Sequence, residues 1–168
     1  MTLNVVNLNC WKPEMSNTDG LNSAIGIDAA LDFCLNLARM EVVLSRRFDH
    51  RLGSLHGLSF GDFTILLHLS RAAGSKLRRT ELADRLGITA SGITRTLIPL
   101  EKIGLVTRQS DPRDARVGYA ALTESGRGLV GHALGSADQI TTELLQDVSA
   151  EQLDLLTWTL AQMVGRLS

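Results

Sequence analysis

Between Thr80 and Thr123 the hydrophobic rhythm changes from the three-to-four-residue repeat of helices to the two-residue repeat of strands, with Gly87 and Gly104 between elements. Thr80 carries a hydroxyl able to cap a first helix whose Leu82, Ala83 and Leu86 share one face. Gly87 supplies the positive φ of a tight turn, and Ile88 to Thr89 leads into a second helix reaching Ile103. Ile93, Leu97 and Leu100, at i, i+4 and i+7, form its buried stripe and leave Ser91, Thr94 and Arg95 on the opposite face. Pro99 removes one backbone hydrogen bond and crowds the Arg95 carbonyl, which predicts a local kink rather than a break. Beyond Gly104, Leu105–Gln109 has strand composition, Ser110–Ala115 is a turn around Asp111-Pro112, and Arg116–Leu122 alternates as a second strand. Two helices joined by a tight turn and followed by a basic hairpin make a winged helix-turn-helix.

The chemistry of that stretch suits double-stranded DNA. Short hydroxyl side chains let a helix sit deep in a major groove, where an arginine can grip guanine or reach a phosphate. An arginine-tipped ribbon suits a minor groove, whose narrow A·T segments concentrate negative potential. The candidate contacts are Thr89, Ser91, Thr94 and Arg95 on the second helix, with Arg108, Arg113 and Arg116 on the hairpin. The formal net charge of −1 hides the asymmetry. From Arg71 to Arg116 there are ten Lys/Arg and five Asp/Glu, a net of +5, against seven and thirteen elsewhere, a net of −6. Phosphate affinity depends on where positive charge gathers rather than on the sum.

The run ITASGITRTLIPLEKIGLVTRQSDPRDARVGYAALTESGR, beginning at Ile88, resembles the signature of the MarR family of transcriptional regulators. Its elements are a T-R recognition helix, L-E-x-x-G-L, a D-x-R-D-x-R wing and L-T-x-x-G-R, and a looser likeness extends from about Asp28 to the C-terminus. The resemblance implies a homodimer on a pseudo-palindromic operator, acting as a repressor, with dimerisation by the terminal helices. It also implies release by a small-molecule effector, often an aromatic acid held between the dimer helices and the DNA-binding lobe.

Residues 1–26, Asn-rich and interrupted by Pro13, form a flexible arm carrying Trp11; residues 27–168 are one domain. Within it, 27–58 and 124–168 supply dimerisation helices around a DNA-binding lobe at 59–123, giving a mainly α fold with a small β wing. A helix over Ile27–Leu52 is apolar on more than one side, so it must be covered on more than one side, and Gly53–Leu58 reads as loop. Ser59 caps a helix with Asp62 in its first turn and Phe63, Leu66, Leu67 and Leu69 as core; Ser75–Arg79 is a candidate third strand. Thr123 caps a helix to about Asp147 with a stripe of Leu129, Ala133, Ala137, Ile140, Leu144 and Val148. Ser149 and Gln152 form a capping box for a last helix striped by Leu153, Leu156, Leu160, Met163 and Leu167, which reads as a dimer seam.

Other chemistries find little support. Gly126, Gly128 and Gly131 spell G-x-G-x-x-G, but the chain continues into helix rather than into the parallel strand a dinucleotide fold requires. His50, His56, His68 and His132 have no ligand spacing, and no nucleophile elbow, P-loop or metal motif is present, so neither an enzyme, a metal nor a cofactor is implied. Cys10 and Cys34 form no disulfide framework, and no apolar run reaches membrane length, which together suit a cytoplasmic protein. Two further readings stay open. One is a winged helix used as a protein adaptor or antirepressor. The other is a thiol redox sensor through Cys34, although burial of Cys34 as a small hydrophobe is the expectation, since the only tyrosine, Tyr119, lies in the wing.

Overall fold

The computed structural model describes residues 27–111 and 118–167. Its elements are helices α1 (Ile27–His56), α2 (Phe60–Arg71), α3 (Arg79–Leu86), α4 (Ala90–Lys102), α5 (Glu124–Leu145) and α6 (Ala150–Leu167), and strands β1 (Lys76–Arg78), β2 (Val106–Ser110) and β3 (Gly118–Leu122). A single 3-10 turn at Ala73–Ser75 joins α2 to β1. The three strands form an antiparallel sheet in the order β1-β3-β2, so the third strand expected near Ser75–Arg79 is present and pairs with the wing through Lys76↔Ala121 and Arg78↔Tyr119. The chain packs as two units, divided between Arg39 and Met40.

Several expected boundaries move. α1 continues through Gly53 to His56, a turn past Leu52, and stops where Gly57 takes φ +67°. The residues read as loop are therefore helical up to His56; Gly57 N–H returns to Gly53 O at 3.1 Å. A glycine inside a helix costs about 1 kcal/mol relative to alanine, which buried Leu52 and the bond between His56 Nε2 and Ser136 Oγ (2.9 Å) can offset. α3 begins at Arg79 because β1 runs directly into it; extended Arg78 occupies the cap position with no side-chain cap, so Thr80 sits inside the first turn rather than capping it. β2 starts at Val106 and β3 at Gly118, each inside the range expected from alternation.

Ser59 behaves as expected. It accepts the Asp62 N–H at 3.1 Å while the Asp62 carboxylate accepts the Ser59 N–H at 3.2 Å, closing a capping box. Ile65 joins Phe63, Leu66 and Leu69 in the α2 core, whereas Leu67 is only partly buried. In α5 the buried stripe is Gly126, Val130, Ala133, Ala137 and Ile140, one residue away from the expected Leu129 at its N-terminal end. The cause lies in the first turn. A Cβ on Gly126 would stand 2.2 Å from the Leu105 carbonyl oxygen, so the backbone contact at that glycine sets which way the helix faces.

The core of the unit from Met40 onward gathers Phe48 and Leu52 of α1, the α2 face, Leu82, Ile93, Leu97 and Leu100 of the helix pair, Val106 and Leu122 of the sheet, and the α5 stripe. Phe48 and Phe60 stack at 4.4 Å between ring centroids, and Arg47 pairs with Glu143 across α1 and α5. α6 is different. Its capping box forms, with Ser149 N–H donating to Gln152 Oε1 at 2.9 Å, yet Leu153, Leu155, Leu156, Trp158, Leu160 and Val164 are all exposed, Trp158 by 62%. Among the described residues no helix is long and apolar enough to cross a membrane.

Candidate nucleic-acid interface

The helix-turn-helix is built by two caps. At its turn Gly87 adopts φ +63° and ψ +28°, and Ile88 N–H reaches back to Ala83 O at 3.1 Å, ending α3 in a single residue. An alanine there would have to hold a left-handed conformation, which costs L-residues roughly 1–2 kcal/mol. Thr89 then caps α4, its Oγ1 accepting the Gly92 N–H at 3.1 Å. Gly92 lies close under that hydroxyl, at a distance of 3.2 Å for an added Cβ. α4 runs unbroken through Pro99 to Lys102, and Ile103 N–H bonds the Pro99 carbonyl at 3.1 Å.

That geometry distributes Thr89, Ser91, Thr94 and Arg95 into different chemical states. Ile93, Leu97 and Leu100 are buried, so Ser91, Thr94 and Arg95 face outward together, as the spacing predicts. Thr89 is exposed but committed to the cap, and its Oγ1 lies 3.1 Å from Ser91 Oγ. Thr94 donates its hydroxyl proton to Ala90 O at 2.9 Å, so it can present a methyl and oxygen lone pairs to a partner, but no donor. Arg95 is exposed and makes no ion pair among the described residues.

On the hairpin, Arg108 is exposed opposite Ala120. Arg113 and Arg116 lie outside the described residues, as does most of the Ser110–Ala115 turn. At the wing base, Tyr119 centres an arrangement that strand alternation does not reveal. Its ring lies 5.2 Å from Lys76 Nζ, its hydroxyl donates to Asp111 Oδ2 at 3.1 Å, and Arg78 Nε donates to the same hydroxyl at 3.4 Å. The Arg78 bond, with Asp111 and Glu81 nearby, raises the pKa of an already basic guanidinium. Arg79 lies over the wing base, since a Cβ on Gly118 would come within 2.5 Å of its guanidinium. Lys76, Arg78 and Arg79 thus gather beside the hairpin. The signal that could have found them was the K-x-R-R spacing immediately before the helix pair.

Cys34 is exposed, which corrects the expectation of a buried thiol. Its neighbours along α1, Leu31, Phe33 and Leu35, are also exposed.

Comparison with known proteins agrees with this architecture. The MarR family model matches residues 56–117. The chain is 31% identical over 112 residues to the HTH-type transcriptional regulator YdgJ of Bacillus subtilis, covering 67% of each. It is 29% identical over 152 residues to the HTH-type transcriptional repressor YetL of the same organism, covering 90% of each. Sco3205, a MarR family transcriptional regulator from Streptomyces coelicolor solved in complex with DNA, superposes with a TM-score of 0.75 at 25% identity, over 84% of this chain and 88% of that one.

Proposed function

The chain belongs to the MarR family of DNA-binding transcriptional regulators, and on that premise we propose that it is a homodimeric repressor on a pseudo-palindromic operator, released by a small-molecule effector. In this reading Ser91, Thr94 and Arg95 meet base edges in a major groove, and Thr89 fixes the helix that carries them. Arg108, Arg113 and Arg116 follow the backbone and the neighbouring minor groove. The observation that carries it is the outward face of α4, where an exposed arginine, with no ion pair among the described residues, stands beside two hydroxyl residues over a fully buried apolar stripe. The repressor sense is supported by the relative named as one. The dimer is supported by the exposed apolar face of α6, which is larger than scattered surface leucines explain. The absence of a membrane-length helix among the described residues fits the cytoplasmic setting such a role requires.

A titration against the DNA upstream of its own gene, followed by footprinting, tests the proposal. The expected result is saturable binding to an inverted repeat whose half-site centres lie about 10 base pairs apart, as two-fold symmetry requires. Binding without sequence preference, or no binding, would favour a winged helix devoted to protein contacts.

A further inference from the structure

A crevice of about 560 Å³ opens between the C-terminal part of α1, the start of α2 and the helix-turn-helix, and among the described residues its lining contains acceptors but no cation. Leu44, Phe60, Ile65, Leu86 and Ile88 supply apolar surface. Glu41 and Asp49, two turns apart on α1, supply carboxylates, and none of the described lining residues is Lys, Arg or His.

The polar groups have little left to donate. Every hydroxyl of the described lining already spends its proton within the chain: Ser45 on Glu41 at 3.1 Å, Ser59 on Asp62 at 2.6 Å, Thr64 on Phe60 O at 2.7 Å and Thr96 on Gly92 O at 3.0 Å. The N-terminus of α2, which would otherwise attract an anion, is served by the chain's own carboxylates. Asp49 accepts the Phe60 N–H at 2.6 Å, and Asp62 accepts the Ser59 N–H. An aromatic acid would therefore meet two like charges and no side-chain donor. A cation would meet opposite charge, lone pairs and the face or edge of an aromatic ring.

We infer that this crevice binds an organic cation with an apolar aromatic or aliphatic body, and that the effector of this regulator is basic rather than an aromatic acid. The inference rests on the effector-responsive reading proposed above. Its route to DNA is short, because the same walls include Ile88 in the turn and Thr96 on α4. An occupant would thus touch both α1 and the helix that carries Arg95.

The test compares two ligands with the same ring system and opposite charge, 2-naphthylmethylammonium and 2-naphthoate, by calorimetry on the full-length protein without DNA. The expected result is one saturable site per chain for the ammonium ion, at least about tenfold tighter than for the carboxylate. In the Glu41→Gln, Asp49→Asn double variant the ammonium ion should lose that advantage. Both replacement amides keep an oxygen that can accept the Ser45 and Phe60 bonds, so the fold is spared. Equal or tighter binding of naphthoate, binding of neither, or a preference that survives the double substitution would overturn the inference. Repeating the titration with operator DNA separates the two proposals. Release of DNA by the ammonium ion supports both, whereas selective ammonium binding that leaves DNA affinity unchanged upholds the site and contradicts the effector-responsive function.

Discussion

Tyr119 is the residue where side-chain chemistry holds the wing to the helix pair. Its hydroxyl links Arg78 at the end of β1 with Asp111 at the end of the wing's first strand, while Lys76 sits over the ring. Tyr119→Phe keeps the ring and removes both hydroxyl bonds, so it should cost about 0.5–1.5 kcal/mol in urea unfolding, toward the lower end because the groups are partly solvated. DNA affinity should fall several-fold, with preference at the α4-read bases unchanged; an unaltered affinity would mean that this link does not position the wing. His68 offers a separate test. Burial lowers its pKa, and Arg85 and Arg71 lower it further, against the dipole of α2, whose last turn it occupies. The folded state thus prefers neutral imidazole, and its contribution to stability is complete above the ordinary value of about 6.5 and is lost as pH falls from there toward the folded pKa. Denaturation midpoints at pH 7.5 and 5.5 should separate more in wild type than in His68→Gln. Equal separations would contradict the assignment.

At the scale of elements, the sequence was most legible where one residue both caps and terminates. Gly87, Thr89, Gly104 and Thr123 each did what their chemistry predicts, and so the helix-turn-helix, the wing strands and the start of α5 were found within two residues. Legibility failed where a tertiary contact overrode a local signal. Gly53 resembles a helix stop, but only Gly57 needs a positive φ. Thr80 resembles a cap, but the strand before it already supplies the extended residue. Gly126 was readable as part of a chance glycine triplet, and its actual role, admitting the Leu105 carbonyl against the first turn of α5, depends on a partner 21 positions earlier that periodicity cannot reveal. Thr123 reinforces that junction, its hydroxyl lying 2.7 Å from Gly104 O and 3.0 Å from Leu105 O while accepting the Gly126 N–H. Gly126→Ala improves intrinsic helix propensity yet forces a methyl group into backbone. It should destabilise the protein by about 1–3 kcal/mol, and a stabilised variant in thermal unfolding would show that propensity wins.

At the scale of the whole molecule, the outstanding feature among the described residues is the exposed apolar face of α6. The α6 stripe was visible in the sequence through its near-heptad repeat, but the exposed Leu155, Trp158 and Val164 extend it around the helix. A truncation ending before Ser149 should therefore yield monomers or aggregates with little operator affinity by sedimentation and DNA titration. A monodisperse monomer that binds its operator normally would contradict the dimer. DNA recognition itself is tested most directly by the salt dependence of binding, measured for wild type, Arg95→Ala and Arg108→Ala on operator and scrambled DNA. The expected result is a steep linear fall of log K with log salt for wild type, with a slope near −0.9 for each phosphate neutralised. Arg95→Ala should cost about 1–3 kcal/mol on operator while sparing scrambled DNA, and Arg108→Ala should weaken both and flatten the slope by about one ion per wing. Wild-type affinity and slope in both variants would mean that neither this helix nor this hairpin holds DNA.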